Sequence, residues 1–153
     1  MEIVQGTAIE DELLARHYLA VWESYGTAAD HLLPDAETRI LAFIDEARRH
    51  RKLGVFFARV DGEFVGSIAC DLYVSPYPVV KKPEHQLDGY IWHVFVDGAY
   101  RGRGIAGALV SAANDHLTSI GCTRVILHSS DAGEGVYSRA GFTLAKEMRL
   151  TLR

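Results

Sequence analysis

Between Tyr100 and Ala106 the chain reads Tyr-Arg-Gly-Arg-Gly-Ile-Ala, and arginines interleaved with glycines suit the capture of an anion. The run follows an extended apolar segment, Tyr90 to Val96, and opens a helix with an apolar face. The first backbone N–H groups of a helix have no partner within it, and the helix dipole adds roughly half a positive charge there. Glycine removes the side chains that would keep a phosphate away from those groups. Arg101 and Arg103 flank the turn, and a guanidinium can fork onto phosphate oxygens. The expectation is a phosphorylated ligand held at Arg101, Gly102, Arg103, Gly104, Ile105 and Ala106.

A chain of 153 residues with 48% hydrophobic and 24% charged residues has the size and composition of one soluble domain, here taken as residues 1–153. The net charge of −4 argues against nucleic acid or an anionic membrane as partner, so the positive site must be local. No apolar run approaches the roughly 18 residues of a membrane span, and the N-terminus lacks the basic and apolar regions of a signal peptide. Cys70 and Cys122 show neither metal spacing nor a C-x-x-C pair, which points to free thiols and a reducing, cytoplasmic setting. The 7 histidines are scattered, so no metal is expected.

The elements that position the turn can be read from periodicity. Residues 2–5 suit a short strand. Ile9, Leu13, Leu14, His17, Val21 and Tyr25 recur at helical spacing over residues 9–25, with Gly26 at the end. A second helix is predicted over 35–50, with Ile40, Leu41, Ile44 and Ala47 on one face. Val55–Val60 and Phe64–Val74 flank Asp61-Gly62-Glu63, a strong hairpin signal. Ser75 to Asp88, with its prolines and adjacent lysines, is expected to be a loop that helps to shape a specificity pocket. A strand at Tyr90–Val96 is followed by a helix over 103–120, a strand at Val125–Ser129, a short helix around Gly135–Ala140 and a last strand at Phe142–Leu152. In fold class this is α/β: a mixed, mainly antiparallel sheet with helices on both faces.

Two ligand classes compete at the turn. Gly102, Gly104 and Gly107 satisfy the dinucleotide pattern G-x-G-x-x-G, with Asp131 near the end of the next strand. Against a dinucleotide stand the separation of Val96 from Gly102, the short chain left after the turn, and a preceding hairpin in place of βαβ units. Arg101-x-x-Gly104-x-Ala106, by contrast, fits (Gln/Arg)-x-x-Gly-x-(Gly/Ala). With Val94-Phe95-Val96 before it and Tyr137-Ser138-Arg139-Ala140-Gly141-Phe142 after it, the chain resembles the GCN5-related N-acetyltransferases (GNAT) over essentially its whole length.

That resemblance implies acetyl-CoA as cosubstrate, bound by its pyrophosphate at the turn. It also implies that the strand carrying Val94, Phe95 and Val96 splays from the next one, so that the pantetheine arm pairs with its backbone. The acceptor would be the amine of a small molecule or peptide, attacking directly in a ternary complex; a homodimer is compatible. Tyr137 is the candidate acid, since a phenol with a pKa of about 10 can protonate a departing thiolate. For the base, His93 stands beside an expected bulge near His93–Val94, with His128 and Glu134 as further candidates. Strict alternation would put Ile91, His93 and Phe95 on one face, with Trp92 and Val94 on the other. A CoA-binding module without catalysis is the alternative, and a dinucleotide oxidoreductase a more distant one. The acceptor's identity is not written in these residues.

Overall fold

The computed structural model describes residues 1–75 and 80–152. The chain opens with β1 (Glu2–Gln5), after which Thr7 and Glu10 form a reciprocal capping box that starts α1 (Asp11–Ser24). There the Ile9 N–H donates to Thr7 Oγ1 at 3.2 Å and the Thr7 N–H to Glu10 Oε2 at 2.7 Å. Helix α2 (Ala36–His50) leads into the hairpin of β2 (Gly54–Val60) and β3 (Glu63–Leu72). Asp61 and Gly62, with φ of 50° and 90°, make the turn with two left-handed residues that matches strand twist. Then come β4 (Asp88–Val96), α3 (Ile105–Ser119), β5 (Arg124–Leu127) and α4 (Asp131–Arg139). Of the expected 75–88 loop, residues 76–79 lie outside the described residues.

The five strands lie in sequence order, β1-β2-β3-β4-β5; the first four pair antiparallel and the last pair is parallel. Alternation then divides the interior. Val55, Phe57 and Ala69 pack with Leu14, Ile44 and Ala47 of α1 and α2, while Ala58, Ile68 and Cys70 pack with Leu109, Val110 and Ala113 of α3. Burial pushes the Cys70 thiol up to about 12, so it stays a small apolar filler. No helix among the described residues is long and apolar enough to cross a membrane.

Three features differ from the sequence reading. The register of β3 on β4 slips between Ala69–His93 and Cys70–Ile91, so the bulge is at Trp92, earlier than expected. The extra residue breaks the predicted alternation: Ile91 packs on the α3 side with Val94 and Val96, and Trp92 on the α1–α2 side. Second, α4 starts at Asp131, earlier than Gly135, which shortens β5 to Leu127. Third, the expected strand at Phe142–Leu152 is absent. Among the described residues its alternating apolar residues join no ladder, and Leu144, Met148, Leu150 and Leu152 are 82–97% exposed.

Only four residue pairs, Asp88–Arg124 to Ile91–Leu127, join β5 to β4. Beyond them β4 runs on to Val96 with no strand partner on that side among the described residues. The pairing is clamped at its far end, where Arg124 Nε and Nη2 donate to the two Asp88 oxygens at 2.9 and 2.8 Å. The Asp88 side chain is 3% exposed and that of Arg124 54%. Losing the arginine strips a buried carboxylate of its guanidinium and leaves it the 3.4 Å contact from Gln86 Nε2, whereas losing the carboxylate leaves a guanidinium that water can reach. Arg124→Ala is therefore expected to cost about 2–3 kcal/mol and Asp88→Ala about 1 kcal/mol, an inequality that urea unfolding reads directly.

Candidate functional site

The gap left where β4 outruns β5 opens into a cleft of about 910 Å³. Val94, Phe95 and Val96 form one wall, and the turn with the start of α3 forms the floor. Gly102 and Gly104 have φ of 74° and 78°, a conformation that side-chain-bearing residues rarely adopt. No side chain caps α3, and residues 101–104 are exposed, so the helix start meets the cleft with its N–H groups available.

The arginines do more than offer charge. Arg101 Nε donates to the Val96 carbonyl oxygen at 3.0 Å, which ties the turn to the end of β4. Arg103 donates to the Ala99 carbonyl oxygen at 3.1 Å and lies over the Tyr100 ring, 5.1 Å from its centre. Of the residues expected at the ligand, the cleft gathers Val94, Phe95, Val96, Arg101, Gly102, Gly104, Ile105, Ala106 and Tyr137. Arg103 is not part of its lining, nor is His93.

Tyr137 reaches the cleft from α4. A Cβ on Gly133 would sit 2.9 Å from its ring, so that glycine is what lets the ring lie against its own helix. The Phe142 ring braces it at 6.0 Å in a T-shaped contact. Burial, with a smaller effect from Tyr25, pushes the phenol above its ordinary pKa of 10. It therefore keeps its proton throughout the neutral range.

His93 stands behind this wall, 4% exposed. Its Nε2 meets Ser67 Oγ at 2.8 Å, and the same hydroxyl meets His17 Nδ1 at 2.8 Å. The His17 ring stacks on Phe95 with centroids 4.4 Å apart. Burial lowers His93 to about 3 and His17 to about 4, so both rings are neutral at pH 7 in the row behind Phe95.

Sequence reasoning missed part of the lining. Val21, Ser24 and Tyr25 arrive from the end of α1, for which no local signal exists. Ser111 and Asn114 were legible in principle, because with Gly107 they share one stripe of α3 at i, i+4 and i+7. Asn114 Oδ1 is buried without a hydrogen-bond partner among the described residues, an open acceptor in the wall of the cleft. Helix start, tethered arginine, open strand edge and spare acceptor together fit a long, polar, phosphate-ended ligand.

Comparison with known proteins places this geometry. The model of the acetyltransferase (GNAT) family matches residues 13–142. An N-alpha-acetyltransferase MAK3 of Arabidopsis thaliana is 35% identical over 98 residues, 61% of this chain and 46% of that protein. A glucosamine 6-phosphate N-acetyltransferase of Trypanosoma brucei brucei is 40% identical over 65 residues, 42% of this chain and 44% of that protein. The chain thus spans less than half the length of these curated relatives. Among solved structures, a GCN5-related N-acetyltransferase from Ralstonia eutropha JMP134 superposes with a TM-score of 0.83 at 23% identity, covering 99% of this chain and 97% of that one. A "predicted acetyltransferase with acetyl-CoA" from Clostridium acetobutylicum gives 0.82 at 18% identity over 99% and 96% of the two chains.

The buried histidines make stability depend on pH. Each has a folded pKa below the ordinary 6.5, so its contribution is full above 6.5 and is lost as pH falls, at about 1.4 kcal/mol per pH unit and per ring, down to the folded pKa. His93→Gln, whose amide can still hydrogen-bond to Ser67, should reduce the stability lost between pH 7 and pH 5 by about 2 kcal/mol. Denaturant unfolding at the two pH values checks this.

Proposed function

The chain belongs to the acetyltransferase (GNAT) family, and on that footing we propose that it moves an acetyl group from acetyl-CoA to an amine by direct attack in a ternary complex. The observation that carries the proposal is the unpaired stretch of β4 ending at an uncapped helix start. One N-acetyltransferase domain over residues 1–153 performs the reaction, with no metal step.

The N–H groups of Ile105 and Ala106, with Arg101, Gly102 and Gly104 around them, hold the pyrophosphate, and Arg103, turned back onto Ala99 and Tyr100, adds its charge beside the turn. The open edge of Val94, Phe95 and Val96 takes the pantetheine arm as a further strand, and its N–H groups orient the thioester carbonyl. Tyr137 gives its proton to the departing sulfur. For His93, burial and the Ser67 bond support a positioning role behind Phe95 over that of a base, so His93→Gln should leave the acidic limb of the pH–rate profile in place; a moved limb would restore it as the base.

One relative is named for an α-amino nitrogen and the other for glucosamine 6-phosphate, which supports an amine acceptor and leaves peptide and small molecule both open. The net charge of −4 disfavours nucleic acid and membrane partners. Free Cys70 and Cys122 support a cytoplasmic setting. The exposed apolar alternation of residues 144–152, which joins no ladder among the described residues, supports a homodimer in which a second copy supplies a strand neighbour. Light scattering reads this, and a monomer at all concentrations removes it.

Acetyl-CoA should raise the melting temperature and NAD should not. Gly104→Glu, which forces a side chain into a φ of 78° and sets a negative charge at the helix start, should abolish the acetyl-CoA shift. Tyr137→Phe should lower kcat by about 10- to 100-fold with KM for acetyl-CoA little changed. Thiol release across an amine panel measures both constants; binding without turnover would mark a carrier module instead.

A further inference from the structure

A pocket on the other flank of α1 takes no part in the steps above. It lies between α1 and α2, has a volume of about 390 Å³, and is walled mainly by Tyr18, Leu19, Trp22, Leu33, Ile40 and Phe43. Small-molecule sites fall in the range of roughly 300–1,000 Å³. Trp22, Leu33 and Phe43 are 40%, 54% and 42% exposed. Large apolar side chains thus gather at the surface around a hollow, the arrangement expected where an apolar group binds.

The pocket and the cleft share one helix. The last two turns of α1 send Tyr18, Leu19 and Trp22 to the pocket and Val21, Ser24 and Tyr25 to the cleft. A run of rings connects the two. Phe43 meets Trp92 with centroids 5.2 Å apart, Trp92 meets Tyr18 at 5.9 Å, Tyr18 meets Trp22 at 6.2 Å and Trp22 meets Tyr25 at 6.0 Å. Trp92 joins this run because the slip in β4 turns its indole to the α1–α2 side. Tyr25, the last ring, stands in the cleft that Tyr137 also lines.

We propose that this pocket holds the aryl-bearing arm of the acceptor, whose amine passes Trp22 and Tyr25 into the cleft, so that the acceptor class is an arylalkylamine. This rests on acetyl transfer taking place at the cleft. Among the described residues that line the pocket, none is Asp or Glu. A polyamine would find no carboxylate there for its second ammonium. Arg39 is in the lining, but its Nε donates to both Asp35 oxygens at 3.0 and 3.1 Å. The rings offer faces and edges to an aryl group, and their faces attract an ammonium on its way past. The arm needs several carbons, because the two sets of α1 residues point about 120° apart around the helix.

The test uses the full chain with acetyl-CoA and reads thiol release with 4-phenylbutylamine, butylamine and butane-1,4-diamine. The kcat/KM for 4-phenylbutylamine should exceed that for butylamine by at least about 10-fold, and the diamine should gain nothing. Trp22→Ala should narrow the 10-fold ratio to about twofold. Leu33→Glu, at an exposed position, should narrow it as well and raise the diamine. The 2 tryptophans of the chain, Trp22 and Trp92, both belong to the run of rings, so 4-phenylbutylamine should shift the indole emission saturably and the diamine should not. Equal kcat/KM for 4-phenylbutylamine and butylamine, or a ratio unmoved in both variants, overturns the proposal while acetyl transfer stands. A Leu33→Glu chain that loses mass in light scattering with its ratio unmoved gives the patch to a second copy and overturns it too. If acetyl-CoA gives the wild-type chain no rise in melting temperature and no amine releases thiol, the transfer reading itself falls, and the acceptor assignment with it.

Discussion

A β-strand whose neighbour stops short must leave backbone groups without partners, and the whole candidate site is arranged around one such shortfall. β4 has nine residues, but β5 pairs with only its first four. Were β5 longer, the N–H and C=O groups of Trp92 to Val96 would be consumed in an ordinary ladder. As it is, α4 begins only a few residues after β5 and draws the chain away. The remaining edge is exposed to a cleft instead of to bulk water, so an amide-bearing ligand can satisfy it. The Asp88–Arg124 clamp secures the closed end of the ladder, which leaves the open end free to stay apart.

Electrostatics at the site are local in the same sense. The chain is acidic overall, with 20 Asp and Glu against 16 Lys and Arg. Positive potential at the cleft must come from local groups, the uncapped start of α3 and the exposed Arg101 in the turn before it. Conversely, the histidines nearest the strand wall are kept neutral by burial, so no imidazolium charge stands behind Phe95 at physiological pH. Charge is admitted at the rim and excluded from the wall.

Features that depend on local periodicity were legible in the sequence. The apolar stripe of α3, the Asp61-Gly62 turn and the glycines of the turn before α3 each follow from spacing within one element. Features that depend on a partner were not. Phe142–Leu152 has a strand's alternation, but alternation says which face is apolar and nothing about whether a second strand is present. Arg103 beside a glycine turn looks like a phosphate ligand, yet its side chain folds back to Ala99 and Tyr100. The Tyr25 edge of the cleft comes from the first helix, and proximity across that much sequence leaves no local trace. His93 was singled out for its type and place on the strand, while its burial is decided by α1 packing over it.

The slip at Trp92 has a consequence for how this sheet tolerates change. An added residue inverts odd–even parity, so the half of β4 before it and the half after it obey opposite rules for which positions point inward. Parity is an integer property, and no exchange of one side chain for another can restore it. Side chains downstream can vary in size or polarity and still face the same way. Losing or gaining one residue here would turn Val94 and Phe95 to opposite sides in a single step. Length at this position is thus held by a discrete constraint, whereas composition is held only by graded ones.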